Sequence, residues 1–187
     1  MTPLDRASGK RPSGDADLTF RPLTLYTVRW VERLVAEHFG SPRVVSRGVL
    51  HQVRDLPGLI AVRAGEQVGL VQYHITHAEL EIVTLIARSR RTGVGRALLA
   101  AAEPIARAAG CKRMWLVTTN NNEDGLAFYR TVGWHQRAVH LGAVDRARDL
   151  KPEIPAADEL GRPISDEIEF ERLLEYRGPS YQKNNRS

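Results

Sequence analysis

A mixed α/β fold is predicted for this chain by three observations. Runs of β-type residues alternate with helical patterns along most of its length. A polar, glycine-containing turn joins two of those runs as a hairpin. A glycine loop, "RRTGVGR" at residues 90–96, lies between an apolar strand and an alanine-rich helix, and another strand follows that helix. A strand, a helix and a second strand in that order make a parallel crossover.

The elements follow in order. Asp17 to Pro22 opens the first strand. Tyr26 to Phe39 places Val28, Val31, Leu34 and Val35 at helical spacing, and Gly40 ends the helix. Leu59 to Arg63 and Val68 to Thr76 form the hairpin around Ala64-Gly65-Glu66-Gln67. Glu79 to Ala87 (ELEIVTLIA) is a longer, more apolar strand. Val94 to Ala109 is a helix of strong formers ending at Gly110, and Pro104 should kink or adjust it. Met114 to Thr118 is a buried-type strand, Gly125 to Val132 a short helix, and Trp134 to Leu141 another strand. The remainder is irregular until 168–174, which alternates as a final strand or short helix.

The chain has 187 residues, 42% apolar and 26% charged, enough for one domain with a real core. We expect a single domain over residues 17–175. It is preceded by a disordered segment, 1–16, rich in Pro, Gly, Ser and charge, and followed by a flexible basic tail, 176–187. No apolar run reaches about 18 residues, so no membrane span is expected. The N-terminus has no apolar core of a secretory signal. The single cysteine, Cys111, allows no internal disulfide and fits the reducing cytoplasm, the expected location. It reads as a small buried hydrophobe. The six histidines are scattered, so no metal is inferred. The net charge of +5 is mostly terminal: +1 in residues 1–16 and +3 in residues 177–187. A nearly neutral body argues against a nucleic-acid partner.

Chemistry enters at the glycine loop. A helix N-terminus presents unpartnered N–H groups and the positive end of the helix dipole. Gly93 and Gly95 remove side chains where backbone must approach a ligand, and Arg90, Arg91 and Arg96 add positive charge. Read alone, the loop either cradles a diphosphate or is a solvated turn. It is neither the dinucleotide fingerprint, because Leu98 stands where a third small residue belongs, nor a P-loop, because no Gly-Lys-Ser/Thr follows.

Two motifs together narrow the choice. Arg90-x-x-Gly93-x-Gly95 follows the strand ELEIVTLIA. After the strand MWLVT comes Asn122-Glu123-Asp124-Gly125-Leu126-Ala127-Phe128-Tyr129-Arg130-Thr131-Val132-Gly133-Trp134. The pair, spanning residues 79–134, resembles the Gcn5-related N-acetyltransferase (GNAT) superfamily, and the resemblance covers about residues 17–174. Gly125 stands where that family commonly has alanine, and Trp134 where it commonly has phenylalanine. The segments 143–155 and 163–169 resemble a recurring, uncharacterised bacterial branch of the superfamily.

The resemblance implies a mostly antiparallel central sheet of about six to seven strands, with a splayed central pair and flanking helices. It implies acetyl-CoA as co-substrate and direct acetyl transfer to a primary amine in a ternary complex. The pantetheine arm would bond Leu85, Ile86 and Ala87, and the diphosphate would sit on Arg90, Arg91, Thr92, Gly93, Val94, Gly95 and Arg96. Backbone N–H near Leu85 would hold the oxyanion. Tyr129 matches the tyrosine near the CoA sulfur that acts as general acid. Asn122 matches a pantetheine-binding position and equally suits a helix cap. Some members of the family use ordered water and no dedicated base.

For a base, Glu79 and Glu81 share one face of their strand. Either is an exposed strand-end residue or a half-buried carboxylate of raised pKa acting through water. Glu81 is preferred because it opens EIVTL, a segment shared with the bacterial branch that the chain resembles. His74 and His77 either line an acceptor pocket or are solvated. About 25 residues separate Leu141 from Ile168, long for a compact domain, and Pro152, Pro155 and Pro163 make this connection a fixed specificity element. Glu167 and Glu169 follow it. Facing the cleft, they would favour a cationic acceptor, such as a polyamine, an aminoglycoside-like molecule, a lysine or an N-terminal amine. The acceptor is thus a small-molecule or peptide amine, and homodimers are common in the family. A non-catalytic acyl-CoA-binding module on the same fold is the alternative.

Overall fold

The computed structural model describes residues 18–174. The segments expected to be disordered, 1–16 and 176–187, lie outside the described residues. Nine strands and four α-helices occur within the described residues, in the order β1 (Thr19–Pro22), α1 (Val28–Phe39), β2 (Arg43–Ser46), β3 (Val49–Gln52), β4 (Gly58–Arg63), β5 (Glu66–Thr76), β6 (Glu79–Ala87), α2 (Val94–Ala108), β7 (Arg113–Thr119), α3 (Glu123–Thr131), β8 (His135–His140), α4 (Ala143–Ala147) and β9 (Glu167–Leu173). Seven strands form one sheet, ordered β1-β4-β5-β6-β7-β9-β8, and β2 and β3 pair separately. Every pairing is antiparallel except β6 with β7. The mixed, mostly antiparallel sheet is therefore as expected.

The edge strands β1 and β8 are largely exposed, while the middle of the sheet is buried on both faces. On one, α2 covers Val71, Leu80, Ile82 and Leu116 with Val94, Leu98, Leu99, Ala102 and Ala106. On the other, α1 sets Val31, Leu34 and Val35 against Ile60, Val62, Leu70 and Ile86. These helices bury the stripes that their apolar spacing creates. Gly40 closes α1 in the left-handed conformation, φ 81°, as its sequence position predicts. Helix α2 runs on through Pro104 to Ala108.

Two features of β6 position the site. First, β7 pairs with it only at Glu79–Arg113, Leu80–Met114 and Glu81–Trp115, after which the strands separate. Beyond that point β6 stays paired to β5, and β7 stays paired to β9. Second, Gln72 pairs with Thr84 while Tyr73 pairs with Ile82, so Val83 is an extra residue, a β-bulge. The bulge reverses the side-chain alternation. Leu80, Ile82, Leu85 and Ala87 join the α2 core, whereas Ile86 joins the α1 core and Thr84 donates to Gln72 Oε1 at 3.2 Å.

Two elements have no counterpart in the sequence reading. The β2–β3 hairpin turns at Arg47 and Gly48, both with positive φ, 49° and 76°. Two positive φ values are what a tight hairpin turn requires. The Arg47-Gly48 pair between Val44-Val45 and Val49-Leu50 was the available signal. The other is α4, whose five residues are too short to show periodicity. The final segment is a strand, β9, inserted between β7 and β8.

Candidate active site

The separation of β6 from β7 opens a cavity of about 530 Å³. Leu85 from β6, Leu116, Val117 and Thr118 from β7, Tyr129 from α3 and Asn122, the residue that caps α3, line one side. The other side comes from the end of α1, from β2 and from the connection between β8 and β9.

Tyr129 is half-buried, its ring packed 5.4 Å from Phe170 and 5.3 Å from Phe128, centroid to centroid. Burial pushes its hydroxyl up to about 12, so it is protonated at neutral pH. Asn122 caps α3: its Oδ1 accepts from the Gly125 N–H at 3.1 Å, and its Nδ2 donates to Thr118 Oγ1 at 2.8 Å. A Cβ on residue 125 would lie 2.3 Å from Asn122 Nδ2. The glycine in place of the family's usual alanine is what allows Asn122 to curl over the helix end.

The glycine loop leads from the end of β6 into α2. Gly93, φ 77°, precedes the helix and no side chain caps it, while the Ala97 N–H makes the first helical bond to the Gly93 carbonyl. The amides of the first turn are thus left for a ligand. Arg91 also has a positive φ, 59°. Gly93 serves backbone conformation, since a Cβ there would meet nothing within 4 Å. Gly95 serves packing: a Cβ there would lie 3.2 Å from the Phe128 ring. Arg90 is exposed and pairs with Asp124 of α3, tying the loop to the helix that carries Tyr129. Thr92 donates from its hydroxyl to the Ser89 carbonyl, 2.9 Å, and Arg96 is exposed. Leu85 lines the cavity, Ile86 is in the α1 core, and Ala87 packs toward α2.

The two candidate bases differ sharply. Glu79 accepts from Arg113 Nη2 at 2.9 Å, within an ion-pair group that includes Glu169 and Glu171. Glu81 is 4% exposed, and its Oε1 makes no hydrogen bond. Burial raises its carboxyl from 4.5 to about 7, with Glu167 and Glu169 raising it further and Ser46 and Arg47 opposing. His51 of β3 and Ser46 of β2 are equally buried, and His51 Nε2 and Ser46 Oγ also lack partners. The three side chains are grouped here: the Ser46 hydroxyl acts on the Glu81 carboxyl, His51 Nε2 lies 3.7 Å from Glu81 Oε2, and Ser46 also lines the cavity. Such a group is built for a water or a ligand atom. His51 stacks on exposed His74, ring centroids 5.5 Å apart, and burial together with His74 lowers its pKa. Ser46 and His51 escaped the sequence reading because both lie on the unrecognised hairpin.

Glu167 and Glu169 also part company. Glu167 lines the cavity, 4% exposed, both its oxygens accepting only the Arg47 backbone N–H at 3.2–3.3 Å. Glu169 is taken by Arg47, Arg113 and His140 at 2.7–3.0 Å, away from the cavity. Cys111 is buried and unpaired with any thiol. Among the described residues no group of three His, Cys, Asp or Glu could hold a metal ion, and no helix is long and apolar enough to cross a membrane.

This fold and this opened strand pair define a class of protein. The family model "Acetyltransferase (GNAT) family" matches residues 24–134. The chain belongs to the GNAT acetyltransferase family. It is 38% identical over 141 residues to the uncharacterized protein YdhI of Bacillus subtilis, covering 75% of this chain and 88% of that one. Among solved structures it resembles a B. subtilis acetyltransferase in complex with CoA, TM-score 0.62 and 16% identity over 85% of this chain and 100% of that one. It resembles equally a GNAT acetyltransferase from Elizabethkingia anophelis with acetyl-CoA bound, TM-score 0.62 and 17% identity over 84% and 98%. These two establish likeness of fold.

Proposed function

We propose that this chain transfers an acetyl group from acetyl-CoA to a primary amine within a ternary complex. The observation that carries this reading is the separation of β6 from β7 after Glu81, with Leu85, Asn122 and Tyr129 lining the resulting cavity. The glycine loop that follows β6, with its uncapped helix end, suits a diphosphate. Arg90, Arg91, Thr92, Gly93, Val94, Gly95 and Arg96 would hold it, and Leu85, Ile86 and Ala87 would line the pantetheine arm. Asn122, already a cap, contributes to this wall mainly by fixing α3. Acetyl-CoA supplies the activated acyl carbon as a thioester.

Glu81 is assigned as the base, acting through a water held with Ser46 and His51. Near its pKa of about 7 it is partly ionised at neutral pH and can take the proton of an incoming ammonium. Glu79 is not favoured, because Arg113 already holds its charge. As the amine nitrogen forms its bond to the acyl carbon, the oxyanion is held by backbone N–H at Leu85. The C–S bond then breaks, and Tyr129 gives its phenolic proton to the departing sulfur. The nitrogen loses its second proton through the bridging water as the intermediate collapses; that proton restores Tyr129, and Glu81 releases the first to solvent, so ammonium and thioester give amide, thiol and one proton.

Calorimetric titration with acetyl-CoA, followed by thiol release over a panel of amines, tests the proposal. Micromolar binding with amine-dependent thiol release is expected. Binding without release toward any amine would leave an acyl-CoA-binding module instead, and absence of binding would remove both readings.

A further inference from the structure

The acceptor side of the cavity is walled by Val44, Val45, Val144, Ala147, Ile154 and Ile164. Four of these six come from the connection between β8 and β9. That connection is fastened as a lid. Lys151, 3% exposed, donates from Nζ to the carbonyls of Phe39 and Arg43 at 2.7 and 2.8 Å. Arg148 donates to the carbonyls of Ile154, Pro155 and Ile164 at 2.5–3.1 Å. Asn120 Oδ1 accepts from the Ser165 and Asp166 N–H groups at 3.0 and 3.1 Å. The apolar wall is therefore held in place before any acceptor arrives.

A charge census of the lining is short. Lys151 is spent on the two carbonyls, Glu153 pairs with Arg43 at 2.5 Å, and His38 Nδ1 contacts the Leu34 carbonyl at 2.9 Å. The carboxylate left for a ligand is that of Glu167, with Glu81 just behind Ser46. Glu169, the second carboxylate that would hold a polycation, is neutralised elsewhere. A second ammonium set against Val44, Val45, Val144 and Ile164 would lose its hydration with no carboxylate beside it, a large cost.

We infer that the acceptor is a primary monoamine on a compact apolar body, an alkyl or arylalkyl amine, whose nitrogen lies between Glu167 and the Ser46–His51–Glu81 group while its body lies under the lid. This rests on the acetyltransferase reading for its chemistry but not for its binding. The cavity, at about 530 Å³, must also admit the end of the acyl donor, which limits the body to roughly the size of a phenethyl group.

The test is titration of butylamine, hexylamine, phenethylamine and spermidine into CoA-saturated protein, beside thiol-release kinetics on the same amines with acetyl-CoA. Affinity is expected to rise about fourfold per methylene from butylamine to hexylamine. Phenethylamine should bind at least tenfold more tightly than spermidine. Val45→Asp places a carboxylate in the apolar wall and should narrow or reverse that preference; Ala147→Phe fills the space and should weaken phenethylamine with CoA affinity retained. Spermidine or a lysine peptide binding as tightly as phenethylamine, or a preference indifferent to Val45→Asp, overturns the inference. Tight binding of apolar amines without acetyl transfer upholds the pocket and removes the enzyme reading. Efficient transfer to spermidine with weak binding of apolar amines does the reverse.

Discussion

Glu81 Oε2 and His51 Nε2 face each other at 3.7 Å inside the protein, too far apart for a hydrogen bond and both shielded from solvent. Burial raises the carboxyl to about 7 and, together with His74, lowers the imidazole, so the interior works against the charged form of both groups.

Activity should follow this titration. With Glu81 as base, kcat/KM should rise with pH through an apparent pKa near 7. In Glu81→Gln that limb should vanish and the rate should drop about 100-fold or more. A Glu81→Gln profile that keeps the same limb would assign the titration to another group.

Stability should respond with the opposite sense. Because the folded state raises this carboxyl above its ordinary 4.5, it binds more protons than the unfolded chain between about 4.5 and 7. Stability contributed by Glu81 is therefore full below 4.5 and falls as pH rises toward 7, by up to about 3 kcal/mol. Glu81→Gln should melt higher than the parent at pH 8 and close to it at pH 4. Thermal melts at the two pH values decide this.

Tyr129→Phe keeps the ring that packs on Phe170 and removes the hydroxyl. We expect kcat to fall about 100-fold with acetyl-CoA affinity and melting temperature nearly unchanged. An equal fall in stability would make Tyr129 a packing residue only.

Gly125→Ala restores the residue common in the family and should destabilise this chain by about 1 kcal/mol, because its Cβ displaces the Asn122 cap. In the background of Asn122→Ala the same change should cost little. A double-mutant cycle measured by chemical denaturation reads the coupling.

Lys151→Met removes two charge-assisted hydrogen bonds and strands the Phe39 and Arg43 carbonyls. A loss of about 2–3 kcal/mol is expected. The amine KM should rise while acetyl-CoA affinity, which the proposed donor site places on the far side of the cavity, is retained.

Much of this molecule was legible in its residues. The periodicity of α1 and α2, the hairpin of β4 with β5, the bounds of β6 and the glycine-to-helix transition are local properties, fixed by spacing and backbone preference over a few residues. The same holds for Tyr129 and Asn122, which sit in one continuous motif. What failed had identifiable causes. The four-residue strands β2 and β3 carry too few alternations to stand out, so Ser46 and His51 went unseen. The resemblance favours Glu81 over Glu79, but Glu167 and Glu169 look equivalent along their strand.

By itself, then, the sequence determined the longer helices and strands, the glycine loop and the run that carries Asn122 and Tyr129, because each depends on neighbours in the chain. Only the tertiary structure decided which carboxylates stay free. Arg113, 34 residues from Glu79 and 56 from Glu169, neutralises both, while Glu81, buried behind the β2–β3 hairpin, keeps one carboxyl oxygen without a hydrogen bond. A pKa and a pocket wall are sums over groups brought together from distant positions, and no local pattern contains that sum.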